Sequence, residues 1–287
     1  MHETNREVST MTRHHIQDYQ DLLLRQHDGI AWITINRPEK ANALRHRTFD
    51  ELRSALAQFG EDDSVRAIIL TGTGDRVFSA GIDLTPDDKP TTSRGWDDHT
   101  LLNADTCNAI WNLDKPVISA VNGHAAASGC LLALICDITV AATNARFSEP
   151  EIRHGNLSPM LLLPWMTHMK PLHLFYYTGD ALEAEEARQL GLVNKVVEPS
   201  QLLAEAERIA RRIANAPPNS ITLAKRALRT TYDIMGFRGA QSAHRYIDNY
   251  LLDNHGDPQK DELIRILREE GMRAFLTRRD GPYRSEK

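Results

Sequence analysis

Short apolar runs alternate with amphipathic stretches through the first half of the chain. Gly29-Ile-Ala-Trp-Ile-Thr-Ile-Asn36 is β-branched and aromatic, and Pro38 stops it, which predicts a strand. Leu44 to Phe59 has a helical period. Phe49, Leu52, Leu56 and Phe59 share one face, charged residues fill the others, and Gly60 is the expected stop. Val65 to Thr71 is apolar almost throughout, as expected of a strand covered on both faces. Lys115 to Asn122 predicts another strand, Ser128 to Leu134 a buried helix, and Asp137 to Ala142 a strand again. This rhythm predicts α/β layering with crossover connections.

Beyond Glu151 helical periods take over. They predict helices over Pro159–Met169, Ala184–Leu190, Gln201–Asn215, Ser220–Met235, Gln241–Leu252 and Pro258–Leu276. Residues 1–20 read as a solvated tail. Thr85 to Arg94 is the most loop-like interior stretch.

Composition narrows the function. The chain has 287 residues, 41% hydrophobic and 25% charged, which is ordinary globular usage. The net charge of -5 argues against a polyanion binder, so nucleic acid is not an expected partner. Cys107, Cys130 and Cys136 form no disulfide framework and no CxxC, which fits a reducing cytoplasm. The longest apolar run, Cys130 to Cys136, is far short of the roughly 20 residues that span a bilayer, so no membrane association is expected. The polar N-terminus does not resemble a signal peptide.

Several motifs fail on inspection. Thr71-Gly-Thr-Gly74 lacks the third glycine of a dinucleotide loop, since Val77 stands there. His124-Ala-Ala-Ala-Ser-Gly129 lacks the first glycine of a nucleophile elbow, since Ala126 stands there. The histidines and cysteines show no zinc spacing, so no metal is expected. Two small-residue turns remain: Phe78-Ser-Ala-Gly-Ile-Asp-Leu84 and Asn122-Gly-His-Ala-Ala-Ala-Ser-Gly-Cys130. The second leads from a strand into a buried helix. Each could present backbone N–H groups, and two converging on one oxygen would form an oxyanion hole.

The order of these pieces is informative. Asn36-Arg-Pro-Glu-Lys-Ala-Asn-Ala-Leu44 and the first turn come first, followed by Lys115 to Gly123 and Cys136-Asp137. Phe147-Ser-Glu-Pro-Glu-Ile152, Ala184-Glu-Glu-Ala187 and Gly191-Leu-Val-Asn194 complete the series. This resembles the crotonase superfamily, the enoyl-CoA hydratase/isomerase group, from about residue 22 to the C-terminus. The resemblance implies an α/β fold: a ββα spiral, acyl-CoA-binding core over 21–198. It also implies a helical trimerisation region over 199–287, in a homotrimer or a hexamer built as a dimer of trimers. The implied substrate is an acyl-CoA thioester, with no cofactor besides, since coenzyme A is part of the substrate.

The resemblance also assigns roles. Ile82 and Ser128 are the implied oxyanion-hole donors, Ser128 standing where the family usually has glycine. Lys40, Ala41, Ala43, Ala80, Asp83 and Leu84 match the surface along the CoA adenine and pantetheine. Phe275, Arg278 and Arg279 match residues that reach a neighbouring subunit's CoA. Of the family's two usual glutamates, one falls at Leu131 and cannot transfer a proton. The other is present as Glu151. Glu149, two residues earlier, would point the same way as Glu151 in an extended segment. It is a possible auxiliary, or else a structural or solvated carboxylate.

One base and an oxyanion hole suffice to move a double bond, whereas hydration is easier with two carboxyls. The sequence therefore supports enoyl-CoA isomerisation or an atypical hydration. Two alternatives stay open. One is a hydrolase of thioesters or β-diketones using His154 or His124. The other is a non-catalytic acyl-CoA-binding member.

Overall fold

A computed structural model describes residues 18–83, 93–253 and 256–284 of the chain. Leu84, the stretch 85–92 and most of the expected tail lie outside them. The last tail residues are tied down: the Tyr19 hydroxyl lies 3.1 Å from Gln58 Oε1, and Glu51 accepts from the Gln20 and Asp21 amides.

The chain folds by repeating one unit, two strands and then a helix. A hairpin opens it: β1 (Leu22–His27) pairs antiparallel with β2 (Ile30–Ile35). Asp28 and Gly29 join them, both at positive φ, the conformation of a tight hairpin turn. This strand was not expected, because its burial alternates poorly. Helix α1 (His46–Glu61) follows, starting two residues later than expected because Leu44 bridges to Ile82. It also runs one residue past Gly60.

The next units each place their two strands in different sheets. β3 (Ala67–Gly72), β5 (Val117–Val121) and β7 (Ile138–Ala142) extend the first sheet in parallel. Their partners β4 (Val77–Ser79), β6 (His124–Ala126) and β8 (Arg146–Ser148) form a second sheet. Helix α2 (Ser93–Asn112) follows β4, and α3 (Ser128–Leu134) follows β6. The corners are too tight for side chains. A Cβ on Gly72 would lie 2.4 Å from the Phe78 carbonyl oxygen, and one on Gly123 2.1 Å from Arg76. Asn42 and Asn122 donate to the carbonyls of Thr73, Gly74 and Val77 and lock these corners.

After β8 the chain departs from expectation. Residues 159–169 are not a helix. Pro159 and Pro164 deny it amide donors, and only one 3-10 turn forms at Leu163–Trp165. Side chains of a later helix satisfy the exposed backbone instead: Gln241 bonds both the amide and the carbonyl of Leu161, and His244 Nε2 lies 2.5 Å from the Ser158 carbonyl. The helix here is α4 (Met169–Thr178). β9 (Leu182–Glu183), α5 (Ala184–Gln189) and β10 (Lys195–Val197) finish the sheets.

Four helices of the expected C-terminal region are α6 (Leu202–Ala214), α7 (Pro218–Ile234), α8 (Phe237–Asp253) and α9 (Pro258–Glu269). A fifth, α10 (Met272–Asp280), was expected to continue α9. Gly271, at φ +85, breaks the two apart. Helix α6 lays Leu202, Ala206 and Ala210 against Ile30, Trp32, Ile69, Ile118 and Val140 of the first sheet. The opposite face packs on α1, α2 and α3, so the central strands are apolar on both sides.

Helix α7 is pinned through Lys225, which is 8% exposed. Its Nζ donates to Asp137 Oδ2 at 2.6 Å and to the carbonyls of Lys115 and Ile110. Lys225→Met strands these acceptors. We expect a loss of about 2–3 kcal/mol, read from the urea midpoint. An unmoved midpoint would show that α7 is held by its apolar contacts alone.

Candidate active site

The two small-residue turns meet. Gly81, at φ +89, packs so closely on the second turn that a Cβ would lie 2.7 Å from Ala127 Cβ and 3.3 Å from Ser128 N. The first turn is fixed on its outer side: Leu44 N donates to Gly81 O and Asp83 N to Leu44 O. The amide of Ile82, between them, bonds no backbone acceptor among the described residues. Nor does the amide of Ser128, the first residue of α3, where helix geometry leaves donors unpaired. The Ser128 hydroxyl accepts from Asn103 Nδ2 of α2 at 2.5 Å, both residues being buried. The serine side chain is thereby occupied, and its amide is what remains.

Ala127 makes this helix start at φ 54, ψ -129, a conformation that suits glycine. We expect Ala127→Gly to stabilise the protein by about 1 kcal/mol, with the gain read from the denaturation midpoint. A lower midpoint would mean that the Ala127 methyl packs favourably enough to outweigh the strain.

An ion pair holds the first turn from behind. Arg37 is buried and donates to Asp83 Oδ2 at 2.9 Å and to the Ala43 carbonyl at 2.5 Å. Asp83, expected along the CoA surface, is therefore occupied by the protein itself. Ala41, at φ 52, accepts from the Ala80 amide at 3.0 Å. Ala43 is buried, while Lys40 and Ala80 are exposed.

The second turn leads directly to the carboxyls. The Ala127 amide donates to the Ser148 carbonyl at 2.8 Å, and Glu149 follows. A 3-10 turn runs over Pro150–His154. The segment is thus not extended, and the alternation expected to align Glu149 with Glu151 does not apply. Glu149 is 2% exposed and therefore not a solvated carboxylate. Neither of its oxygens has a hydrogen-bond partner at bonding geometry. Burial, and then the charge of Glu151, push its carboxyl well above the usual range.

Glu151 Oε1 accepts from the Ser158 hydroxyl at 3.3 Å, while Oε2 is buried and unpartnered. Burial pushes this carboxyl up to about 7, opposed by Ser158 and by the Arg279 charge. Leu131 is fully buried on α3, so no acid stands there.

The remaining expected residues scatter. His124 Nε2 lies 2.8 Å from Ser148 Oγ, and Arg146 and Glu183 are its charged neighbours; burial lowers its pKa. His154 meets the Phe275 ring edge-on at 5.7 Å. Phe275 is 3% exposed and packs with Leu263 and Ile266 of α9. Arg279 pairs with Asp280 and acts on Glu151 of its own chain. Arg278 alone of the three is exposed, near Glu262 at 3.3 Å. Trp111 and Trp165 pack on Phe237 in the core.

Ser158, Asn103 and Arg37 were not singled out from sequence. Ser158 and Asn103 carry no local signal. Arg37 had one, a cation beside the short Pro38 turn whose backbone needs a partner. Among the described residues no cluster suits a metal ion, and no helix is long and apolar enough to cross a membrane.

Two amides without a backbone acceptor thus lie on turns that touch, and the second turn is hydrogen-bonded to the strand end that leads into Glu149 and Glu151. Residues 25–286 match the enoyl-CoA hydratase/isomerase family, and the chain belongs to it. It is 36% identical over 214 residues to a short-chain-enoyl-CoA hydratase of Clostridium acetobutylicum, covering 74% of this chain and 82% of that protein. It is 34% identical over 268 residues to the carnitinyl-CoA dehydratase of Escherichia coli K12, covering 91% and 97%. Among solved structures, an enoyl-CoA hydratase/isomerase from Xanthobacter autotrophicus Py2 superposes with a TM-score of 0.88 at 35% identity, over 92% of this chain and 99% of that one.

Proposed function

We propose that the protein binds an acyl-CoA with its thioester oxygen between the Ile82 and Ser128 amides, and that Glu151 is the acid/base at the adjacent carbon. The observation that carries this is the half-buried Glu151 carboxyl, whose Oε2 is enclosed without a hydrogen-bond partner, on the segment that follows the Ser148 carbonyl held by the Ala127 amide at the start of α3. In hydration, Glu151 takes a proton from water as its oxygen bonds C3. The C2=C3 electrons move onto the thioester oxygen, and C2 then takes the proton from Glu151. In isomerisation, Glu151 takes a proton from C2 of a 3-enoyl thioester and returns one at C4. Both reactions pass through an enolate that the two amides stabilise. The named relatives that hydrate or dehydrate CoA thioesters support the first.

The exposed Lys40 and Ala80, with Ala41 and Ala43 beside them, are the proposed CoA side, and Leu84 and Arg278 its continuation. The exposed apolar side chains of α7, Leu223, Leu228 and Ile234, with Met235 just past its end, support assembly into a homotrimer or a dimer of trimers. Three free, buried cysteines fit a cytoplasmic enzyme.

The test is to supply trans-2-enoyl-CoA and trans-3-enoyl-CoA separately and weigh the products. Addition of water to the first marks a hydratase, and a conjugated product of unchanged composition from the second marks an isomerase. Release of free CoA and the carboxylic acid from either, with neither a hydrated nor a conjugated thioester, would overturn the proposal in favour of hydrolysis.

A further inference from the structure

We propose that Arg153 is a positioning residue for Glu151: its guanidinium ties the turn that carries the carboxyl to the end of α4 on one side and to the C-terminal end of α10 on the other. The inference rests on the role proposed for Glu151, and one of its tests needs no substrate.

The Glu151 carboxyl does not fix its own place. Oε1 accepts one hydrogen bond, from Ser158 at 3.3 Å, and Oε2 has no partner. Its position is therefore set by the backbone that carries it. That backbone is the 3-10 turn Pro150–His154, and such turns have poorer hydrogen-bond geometry than an α-helix. Pro150 brings no amide, and no side chain caps the start. The turn closes at Gly155, φ +76, whose amide reaches back to the Ile152 carbonyl at 3.2 Å. A turn this short does not hold itself, since most helical stability comes from packing.

Arg153 supplies the grip. Its side chain is 11% exposed, and each guanidinium nitrogen has a partner. Nε donates to the Thr178 carbonyl at 2.8 Å. Thr178 ends α4, where carbonyls lack helical partners, so the bond also satisfies an orphan acceptor. Nη2 donates to Asp180 Oδ1 at 2.7 Å, two residues further on. Nη1 lies 3.5 Å from Oδ1 of Asp280, the last residue of α10. The ring of Tyr283 covers the guanidinium face at 4.0 Å. A planar fork with a flat face suits these partners, whereas the point charge of a lysine does not. The fit is close: a Cβ on Gly179 would lie 3.2 Å from Arg153 Nε. Asp280 is itself held by Arg279 Nε at 2.9 Å. His154, the next residue of the turn, meets Phe275 of α10, so α10 grips the turn at two successive side chains.

The consequence for turnover is geometric. A base must stand within hydrogen-bond reach of the proton it moves, and a misplacement of about 1 Å costs about 10² in rate. The proposed CoA side lies on other segments, so the loss falls on kcat and not on KM.

The experiment compares wild type with Arg153→Met, Arg153→Lys, Asp280→Asn, Glu151→Gln and the double variant Glu151→Gln/Arg153→Met. Arg153→Met should lower kcat about 10²-fold and Arg153→Lys about tenfold, both with KM within a few-fold of wild type. In the Glu151→Gln background Arg153→Met should cost nothing further, because it acts through the carboxyl already removed. The readout without substrate is hydrogen exchange followed by mass spectrometry. The Gly155 and Asn156 amides, bonded to the Ile152 and Glu151 carbonyls, should exchange about tenfold faster in Arg153→Met and in Asp280→Asn.

A wild-type kcat in Arg153→Met overturns the proposal. So does an equal kcat loss in the Glu151→Gln background, a rise in KM with kcat held, or exchange that neither Arg153→Met nor Asp280→Asn quickens. Should Arg153→Met not fold, Arg153→Lys and Asp280→Asn decide by the same readouts. A wild type that turns over no acyl-CoA would refute the proposed function, and the exchange rates alone would then decide whether Arg153 holds the turn.

Discussion

Glu151→Gln lowers kcat by about 10³-fold, within the range general acid–base groups contribute, and leaves KM within a few-fold of wild type. The amide keeps the shape of the side chain and can still hydrogen-bond Ser158, so the fold is not expected to suffer. What it loses is a group that gains and releases a proton near neutral pH, where burial holds the carboxyl at about 7. Leu131 offers no second acid, so nothing on α3 compensates. The acid limb of kcat/KM in the wild type follows from the same group. Activity should fall as pH drops below about 7, because the base is then protonated. Steady-state kinetics over pH 5–9 check both statements. A variant with more than a tenth of wild-type kcat would remove Glu151 from the chemistry.

Gly81→Ala should be nearly as damaging, for a geometric reason. The new methyl would lie 2.7 Å from Ala127 Cβ and 2.9 Å from the Ala126 carbonyl oxygen. The backbone at φ +89 resists any side chain as well. The two turns must part, and with them the Ile82 and Ser128 amides. Losing one oxyanion-hole donor costs about 10²–10³ in kcat, and this substitution misplaces both. The measurement is kcat against the denaturation midpoint. A large kcat loss with the protein still folded at assay temperature is the expected result. A kcat loss that merely tracks unfolding would make Gly81 a stability residue.

Much of the first sheet was readable because its strands are buried on both faces. Ala67–Gly72 and Val117–Val121 are covered on both sides and leave near-continuous apolar runs. The second sheet was not readable. Its strands are two or three residues long, too short for any periodicity. Helix α2 went unread for another reason. Its buried face includes Asn103 and Thr106 beside Ala104, Cys107 and Ile110, and the polar residues hide the period. The stretch 159–169 misled in the opposite way. Leu162 and Leu163 are buried, which looks like a helix, but the prolines decide the backbone.

The candidate site was legible as a set of residues and not as an arrangement. Ile82, Ser128 and Glu151 stand in recognisable turns. Nothing local shows that Arg37 takes Asp83 or that Asn103 takes the Ser128 hydroxyl. Each of these two pairs joins segments well separated in the chain. Glu149 shows the limit most clearly. Charged residues are almost never fully buried unless paired, and nothing local decides between a structural and a solvated carboxylate; the 2% exposure of Glu149 removes the solvated alternative.

The central claim is that Glu151 exchanges a proton at the carbon next to a thioester held by two amides. Deuterium wash-in tests it most directly. Wild type and Glu151→Gln are each incubated in D2O with a CoA thioester that the wild type binds, and the recovered thioester is analysed by mass spectrometry and NMR. The account predicts deuterium at C2 with wild type and none above background with Glu151→Gln, which still binds the thioester. Equal incorporation by the two proteins would contradict it.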